Sequence, residues 1–151
     1  MTTQKNEPTS PDLSSGFFVL SLLSLISGAT TGLLCAVFRL ALDWANRTRD
    51  AFIAVERADH LVGLVLFVSL CAGAAALAAW LVRRFSIHAS GSGIPHVEAE
   101  IQGLAPAPGM LLIPVKFVGG LLAIGAGMVL GREGPSVQMG ASVSRWIGEK
   151  A

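Results

Sequence analysis

The sequence predicts an all-α protein that crosses a membrane several times, and three observations support that prediction. Of its 151 residues, 52% are hydrophobic and only 14% are charged, whereas a typical soluble domain has about 25% charged residues. The apolar residues are gathered into a few long runs. Two glycine-flanked breaks lie beside apolar sequence, each with a proline near the start of the following helix. Because proline is favoured in the first turn of a helix, each break predicts the start of a new helix. The helix after the first break is too short to span the membrane, so the sequence predicts broken half helices.

Charge, cysteine content and motif content exclude other classes of protein. The 11 Lys and Arg residues nearly balance the 10 Asp and Glu residues, so no nucleic-acid partner is predicted. Two cysteines inside apolar runs, Cys35 and Cys71, are too few for a disulfide framework or a cysteine-based metal site. The sequence has no phosphate-binding glycine motif and no complete zinc signature. We therefore predict no enzyme activity, no cofactor and no metal.

The N-terminal part of the chain predicts a tail and a first membrane helix. Residues Met1–Ser15 are polar and are predicted to be a disordered tail. Residues Gly16–Phe38 carry no charge and would reach about 34 Å as a helix, enough for a hydrocarbon core of about 30 Å. Small residues around Gly28 and Gly32 would let another helix approach closely. We prefer packing within one subunit over a dimerisation face for this stripe.

A second uncharged run, Leu61–Val82, is also long enough to span as a helix. A polar and partly helical connection, residues 43–60, is expected between the two spans. Lys and Arg residues are equally numerous in the segments on the two sides, three on each. The distribution of positive charge therefore predicts no membrane orientation.

The remaining sequence alternates breaks with helices. Gly-Ser-Gly-Ile-Pro at 91–95 precedes a short helix, 96–102. Gly-Arg-Glu-Gly-Pro at 131–135 contains the start of another helix, which we expect to begin at Gly134. Between them lies an apolar run, 110–130, that contains Lys116. A helix N-terminus has unpaired N–H groups and about half a positive charge, and transporters often aim such ends at an anion near mid-membrane. The two breaks therefore predict a site for a small anion.

Glu133, at the second break, allows two interpretations. Its carboxylate could bind the same backbone N–H groups that would bind a free anion, so that protonation would release the site. Alternatively, Glu133 is an N-terminal helix charge at the membrane surface that pairs with Arg132 and only orients the helix. The spacing of the residues leaves both interpretations open.

Three ordered segments resemble the signature segments of the CLC family of chloride channels and proton-coupled chloride exchangers: residues 91–95, Pro-Val-Lys-Phe at 114–117 with Gly119 and Gly120, and residues 131–135. The resemblance implies a fold of antiparallel helical repeats and, in the complete protein, a homodimer. It implies that the Ser92 hydroxyl binds a central chloride, that Glu133 is the gate and that Lys116 raises the positive potential of the pathway. The other positions that it assigns are the anion-binding Gly91, Gly93, Ile94 and Pro95, and the gating-loop and helix-start residues Gly131, Arg132, Gly134 and Pro135.

Compared with this family the sequence also lacks expected features. The second repeat and its chloride-coordinating tyrosine are missing, and the chain has no tyrosine at all. We therefore interpret residues 16–151 as an incomplete CLC-type membrane domain, the N-terminal part of a multi-pass protein of the inner or plasma membrane. Its predicted partners are chloride, with protons as a second transported ion, and the lipid bilayer. The alternative is a non-conducting structural or regulatory membrane fragment that needs a complementary half.

Overall fold

A computed structural model describes residues 13–55 and 61–151, and these contain five α-helices and no β-strand. The elements follow in the order α1 (Leu13–Val55), α2 (Val62–Phe85), a 3-10 turn (Ile87–Ala89), α3 (Ile94–Ile101), α4 (Leu112–Gly125) and α5 (Glu133–Lys150). The predicted all-α class is confirmed. Most of the predicted tail, residues 1–15, lies outside the described residues.

Helix α1 is longer than the predicted span. It begins at Leu13 and continues through the predicted connection as far as Val55. Between Leu33 and Val55 the sequence has neither glycine nor proline, so its charged residues change the environment of the helix without interrupting the backbone hydrogen bonds. The described part of the predicted connection, residues 43–55, is therefore helical throughout, where only partial helix was expected.

Helices α1 and α2 have the length and composition of membrane spans. The stretches Gly16–Ala54 and Val62–Phe85 are both long and apolar enough to cross a membrane. Their apolar side chains are widely exposed, for example Phe17 at 72% and Leu66 at 57%. A water-soluble protein rarely exposes contiguous apolar surface on this scale, whereas a bilayer solvates it. This exposure agrees with the predicted membrane location.

Helix α4 lies at the centre of the described structure and packs against α1, α2 and α5. The main core consists of the fully buried Phe38 and Leu42 of α1 and Met139 of α5. Phe117 of α4 meets Phe38 edge to face, with ring centroids 5.2 Å apart. The core thus joins three helices next to the segments that carry the predicted anion site.

Small residues form the interface between α1 and α5. Ser27 Oγ donates a hydrogen bond to Ser144 Oγ at 2.6 Å, and Cys35 lies near the carbonyl of Ser136. Between these pairs, a Cβ added to Gly140 would come within 2.7 Å of Thr31 Cγ2. The positions advance by four residues on α1 as they fall by four on α5, which is the register of two antiparallel helices packed along their i, i+4 rows.

The predicted small-residue stripe therefore packs against α5 through Ser27 and Thr31, and not through its two glycines. A Cβ added to Gly28 or Gly32 would have no neighbour within 4 Å among the described residues. Successive helical residues point about 100° apart, so the glycines that follow Ser27 and Thr31 face away from α5. Ser27 and Thr31 of the stripe pack within the subunit, as preferred, and packing of its two glycines within the subunit stays a prediction.

Candidate anion site

A single cavity brings the three sequence motifs together. Its volume is about 770 Å³, and it lies between α2, α4, the turn before α3 and the start of α5. From the motifs it is lined by Gly91, Ser92, Ile94, Lys116, Gly119, Gly120, Gly131, Glu133, Gly134 and Pro135. Ser92 and Glu133 are both exposed to it. Residues that are distant in the sequence therefore share one space.

The backbone conformation of Gly93 directs the start of α3. Gly93 caps the helix with φ of +84°, a left-handed conformation that glycine adopts without strain. The first intrahelical bond runs from the Val97 amide to the Gly93 carbonyl. Among the described residues, the amides of Gly93 and Ile94 have no hydrogen-bond acceptor. They remain available to an anion beside Ser92.

The turn before α3 lies directly against the start of α5. A Cβ added to Gly134 would overlap the carbonyl oxygen of Ser92. Because the obstructing atom belongs to the backbone, no change of side-chain rotamer would relieve this overlap. Gly134 thus allows the backbone that carries Ser92 to approach the helix turn that carries Glu133. Helix α5 begins at Glu133 itself, one residue before the predicted start.

Lys116 projects from α4 into the protein interior and is only 4% exposed. Its Nζ donates hydrogen bonds to the carbonyls of Ala89 at 2.9 Å and Gly91 at 2.7 Å. Both acceptors are neutral, so the ammonium charge is not cancelled by an ion pair with them. The cation is therefore buried inside the protein, beside the turn that carries Ser92.

Three of the predicted residues do not line the cavity. Gly93 is buried behind it, and Pro95 lies on the exposed surface of α3. The Arg132 guanidinium lies 4.0 Å from the carboxylate of Asp43 on α1. The predicted alternative in which Arg132 pairs with Glu133 is therefore not the arrangement found. Arg132 precedes α5 as its N-cap residue, and Glu133 is the first residue of the helix.

Sequence reasoning missed Gln138. Its side chain is fully buried in α5, and its Nε2 donates a hydrogen bond to the His88 carbonyl at 2.8 Å. A helical pattern could have indicated it, because Gly134, Gln138 and Ser142 recur every four residues and all three are buried.

The His88 and His96 rings, next to the turn before α3, stack with centroids 4.9 Å apart. No cluster of three metal-ligating residues occurs within the described ranges.

Known chloride-transport proteins match most of this chain. The family described as "Voltage gated chloride channel" matches residues 73–151. The H(+)/Cl(-) exchange transporter ClcA of Vibrio vulnificus is 41% identical over 138 residues, which is 89% of this chain and 29% of that protein. The protein of the same name from Klebsiella pneumoniae is 41% identical over 128 residues, 83% of this chain and 27% of that protein.

The fold also has a counterpart of known structure. The crystal structure of a slow cyanobacterial Cl-/H+ antiporter superposes with a TM-score of 0.81 at 33% sequence identity. That match covers 85% of this chain and 30% of the antiporter. The chain therefore spans less than a third of the length of the relatives it resembles. With its helical fold, its apolar spans and its matching signature segments, the chain belongs to the CLC family of voltage-gated chloride channels and is a multi-pass membrane protein.

Proposed function

We propose that this chain forms one wall of a chloride pathway across a membrane, gated by Glu133. The observation that carries the proposal is the shared cavity: Ser92, Lys116 and Glu133 come from three separate segments and line the same space. A hydroxyl, a buried cation and a helix-start carboxylate are the groups expected where an anion binds and is displaced. Relatives named as H(+)/Cl(-) exchange transporters support chloride and protons as the transported ions.

Within this pathway an anion would lose water and gain protein donors. The Ser92 hydroxyl and the free amides at the start of α3 would donate hydrogen bonds to it. Lys116, whose charge is not neutralised by its two carbonyl acceptors, would raise the positive potential around that position. The residues together would attract a small anion without a metal or an organic cofactor.

Glu133 would control access by competing for the same donors. As a carboxylate in the first turn of α5, it is attracted to the helix N-terminus as chloride is. Protonation would remove that attraction and leave the donors to chloride. This competition would link proton binding to anion movement in an exchanger, and it would make opening of a voltage-gated channel depend on pH. Both classes remain compatible with the residues.

The exposed apolar faces of α1 and α2 support a membrane location for the chain. We place the chain in the inner or plasma membrane, in contact with lipid through the exposed faces of α1 and α2. A homodimer of the complete protein would carry one such pathway in each subunit. The chain would act as a transporter and not as an enzyme, as the names of its relatives indicate.

The gate can be tested by joining this chain to the remaining C-terminal part of the Vibrio vulnificus exchanger and reconstituting the product in lipid vesicles. Chloride and proton fluxes are measured together for the parent, for Glu133→Gln, and for the control Glu149→Gln at the other end of α5. We expect Glu133→Gln to conduct chloride without proton coupling and without pH dependence. Retained proton coupling in Glu133→Gln would overturn the gating role, and absence of chloride flux in the parent would overturn the transport function.

A second candidate function is a non-conducting fragment that acts only with a complementary half. It is favoured by the exposure of Ser92 and Glu133, because a finished anion site would be enclosed. Chloride flux from vesicles that contain this chain alone distinguishes the two. Flux only after co-expression with the C-terminal part of the Vibrio vulnificus exchanger would support the fragment; flux from the chain alone would exclude it.

A further inference from the structure

We propose that Gln138 is a positioning residue that fixes the turn carrying Ser92 and thereby sets the anion selectivity of the pathway; this inference rests on the function proposed above. Gln138 lies on α5 and does not line the cavity, so it would act through the turn and not on the ion. It contacts the turn at His88 and at Gly93.

The orientation of the Gln138 amide follows from its hydrogen bond. The His88 carbonyl can only accept, so the amide group 2.8 Å from it must be the NH₂ group. The side-chain carbonyl Oε1 then points towards Gly93, where it has no hydrogen-bond partner among the described residues. A fully buried amide with one polar bond depends on that bond for its position.

The Gln138 side chain also fills the space behind Gly93. A Cβ added to Gly93 would overlap Gln138 Oε1 and come within 2.9 Å of Gln138 Cβ. The turn is therefore in contact with Gln138 at both ends, by a hydrogen bond at His88 and by packing at Gly93. Ser92 immediately precedes the packed residue, so a shift of Gly93 moves the Ser92 hydroxyl as well.

Lys116 and Gln138 hold the same turn from two helices but differ in charge. Lys116 binds the carbonyls of Ala89 and Gly91 from α4, and Gln138 binds His88 and packs on Gly93 from α5. The lysine adds both geometry and positive potential, whereas the neutral glutamine adds geometry alone. Loss of Gln138 should therefore change which anion fits best and leave the pH dependence of transport unchanged.

The test uses Gln138→Met, which keeps most of the side-chain volume and removes the donor, and Gln138→Ala, which removes both. Ser142→Ala is the matched control: Ser142 is 3% exposed, lies one turn further along α5 and bonds only the Gln138 backbone carbonyl. Each variant is made in the chain joined to the C-terminal part of the Vibrio vulnificus exchanger. The nitrate-to-chloride flux ratio and the pH profile are measured in vesicles at matched protein abundance.

A second measurement follows the turn directly and does not require transport. In a background of Cys35→Ala and Cys71→Ala, Ser92→Cys is exposed to a sulfonate-bearing methanethiosulfonate reagent, and the rate of modification is compared with and without each Gln138 substitution. This rate reports the position of residue 92 even if the parent carries no chloride. Failure of the proposed transport function is thereby distinguishable from failure of the positioning role.

We expect both Gln138 variants to change the flux ratio and the modification rate by about fivefold, the factor that corresponds to one net hydrogen bond. The pH profile should stay as in the parent, and Ser142→Ala should match the parent in every measurement. Unchanged modification rates in Gln138→Met and Gln138→Ala would overturn the proposal. An equal change in Ser142→Ala would overturn it too, because the effect would then belong to packing of α5 in general.

Discussion

Three hydroxyls of helix α1 and the two side chains that hold the turn before α3 form hydrogen bonds of opposite kinds. In α1, the hydroxyls of Ser21, Ser24 and Thr30 return to carbonyls of their own helix four residues earlier. At the turn, Lys116 and Gln138 reach carbonyls on a different segment of the chain. The first kind of bond leaves the fold unchanged if it is lost, whereas the second kind joins separate segments.

The two kinds of hydrogen bond differ because the backbone of α1 is an uninterrupted helix, whereas the backbone around the turn is not. An uninterrupted helix satisfies its own amides and carbonyls, so α1 and α2 can expose apolar side chains along most of their length. Between α2 and α5 the helices break, and all the positive-φ glycines of the described chain lie beyond α2. Carbonyls freed at such breaks need donors from elsewhere. Buried polar side chains are therefore expected at the broken segments and not along the spans.

The largest effect should come from Lys116→Met. This change leaves two carbonyls at the turn without their charged donor, a loss of about 3 kcal/mol or more for the pair. We expect a lower midpoint of thermal unfolding in detergent and reduced anion flux at equal membrane abundance. Ser24→Ala, which removes a hydroxyl bound to its own helix, is the control. If Lys116→Met matches the parent in unfolding midpoint and in flux, hydrogen bonds between segments matter no more than those within one helix.

Gly134→Ala should have the next largest effect. The added methyl group meets the Ser92 carbonyl oxygen, so the turn and α5 must move apart at a cost of about 1–3 kcal/mol. Thermal unfolding followed by size-exclusion chromatography measures the loss. Gly131→Ala, where an added Cβ has no neighbour within 4 Å, should match the parent. Equal stability of the two variants would contradict the close contact between the motifs.

Gly140→Ala should destabilise the α1–α5 interface by about 1 kcal/mol. Its methyl group would press on Thr31 Cγ2, the end of a side chain that can give way. We therefore expect Thr31→Ala to restore most of the stability lost in Gly140→Ala. A double-mutant cycle of unfolding midpoints provides the measurement, and additive effects of the two changes would show that the helices do not meet at this pair.

The smallest effect should come from Gly28→Ala. This position has open space around it among the described residues, and alanine favours a helix over glycine by about 1 kcal/mol. We expect unchanged or slightly raised stability by the same unfolding assay. A loss of stability comparable to that of Gly140→Ala would mean that a partner outside the described residues packs on this face.

The sequence predicted the spans better than it predicted the contacts of the site. An uncharged run of sufficient length reveals a membrane helix without any tertiary information. The first predicted span lies within α1, and the second lies within α2 except for its first residue, Leu61. The extent of α1 was underestimated, because charged residues were interpreted as the exit from the membrane and residues 43–60 were expected to be only partly helical. The contact of Gly134 with Ser92 and the burial of Gln138 depend on how two distant segments pack. The spacing of Gly134, Gln138 and Ser142 indicates one helix face, but no local pattern specifies what that face packs against.

The length of α1 has a consequence for how the chain sits in its surroundings. Its 43 residues make a rod of about 65 Å, while a bilayer with its headgroup regions is about 40–45 Å thick. The rod must lean, extend into water at an end, or do both. Hydrophobic length does not choose among these, because the tilt of a long helix is set by its neighbours. The contacts of Ser27 and Thr31 with α5 and of Phe38 with α4 therefore set the inclination of α1.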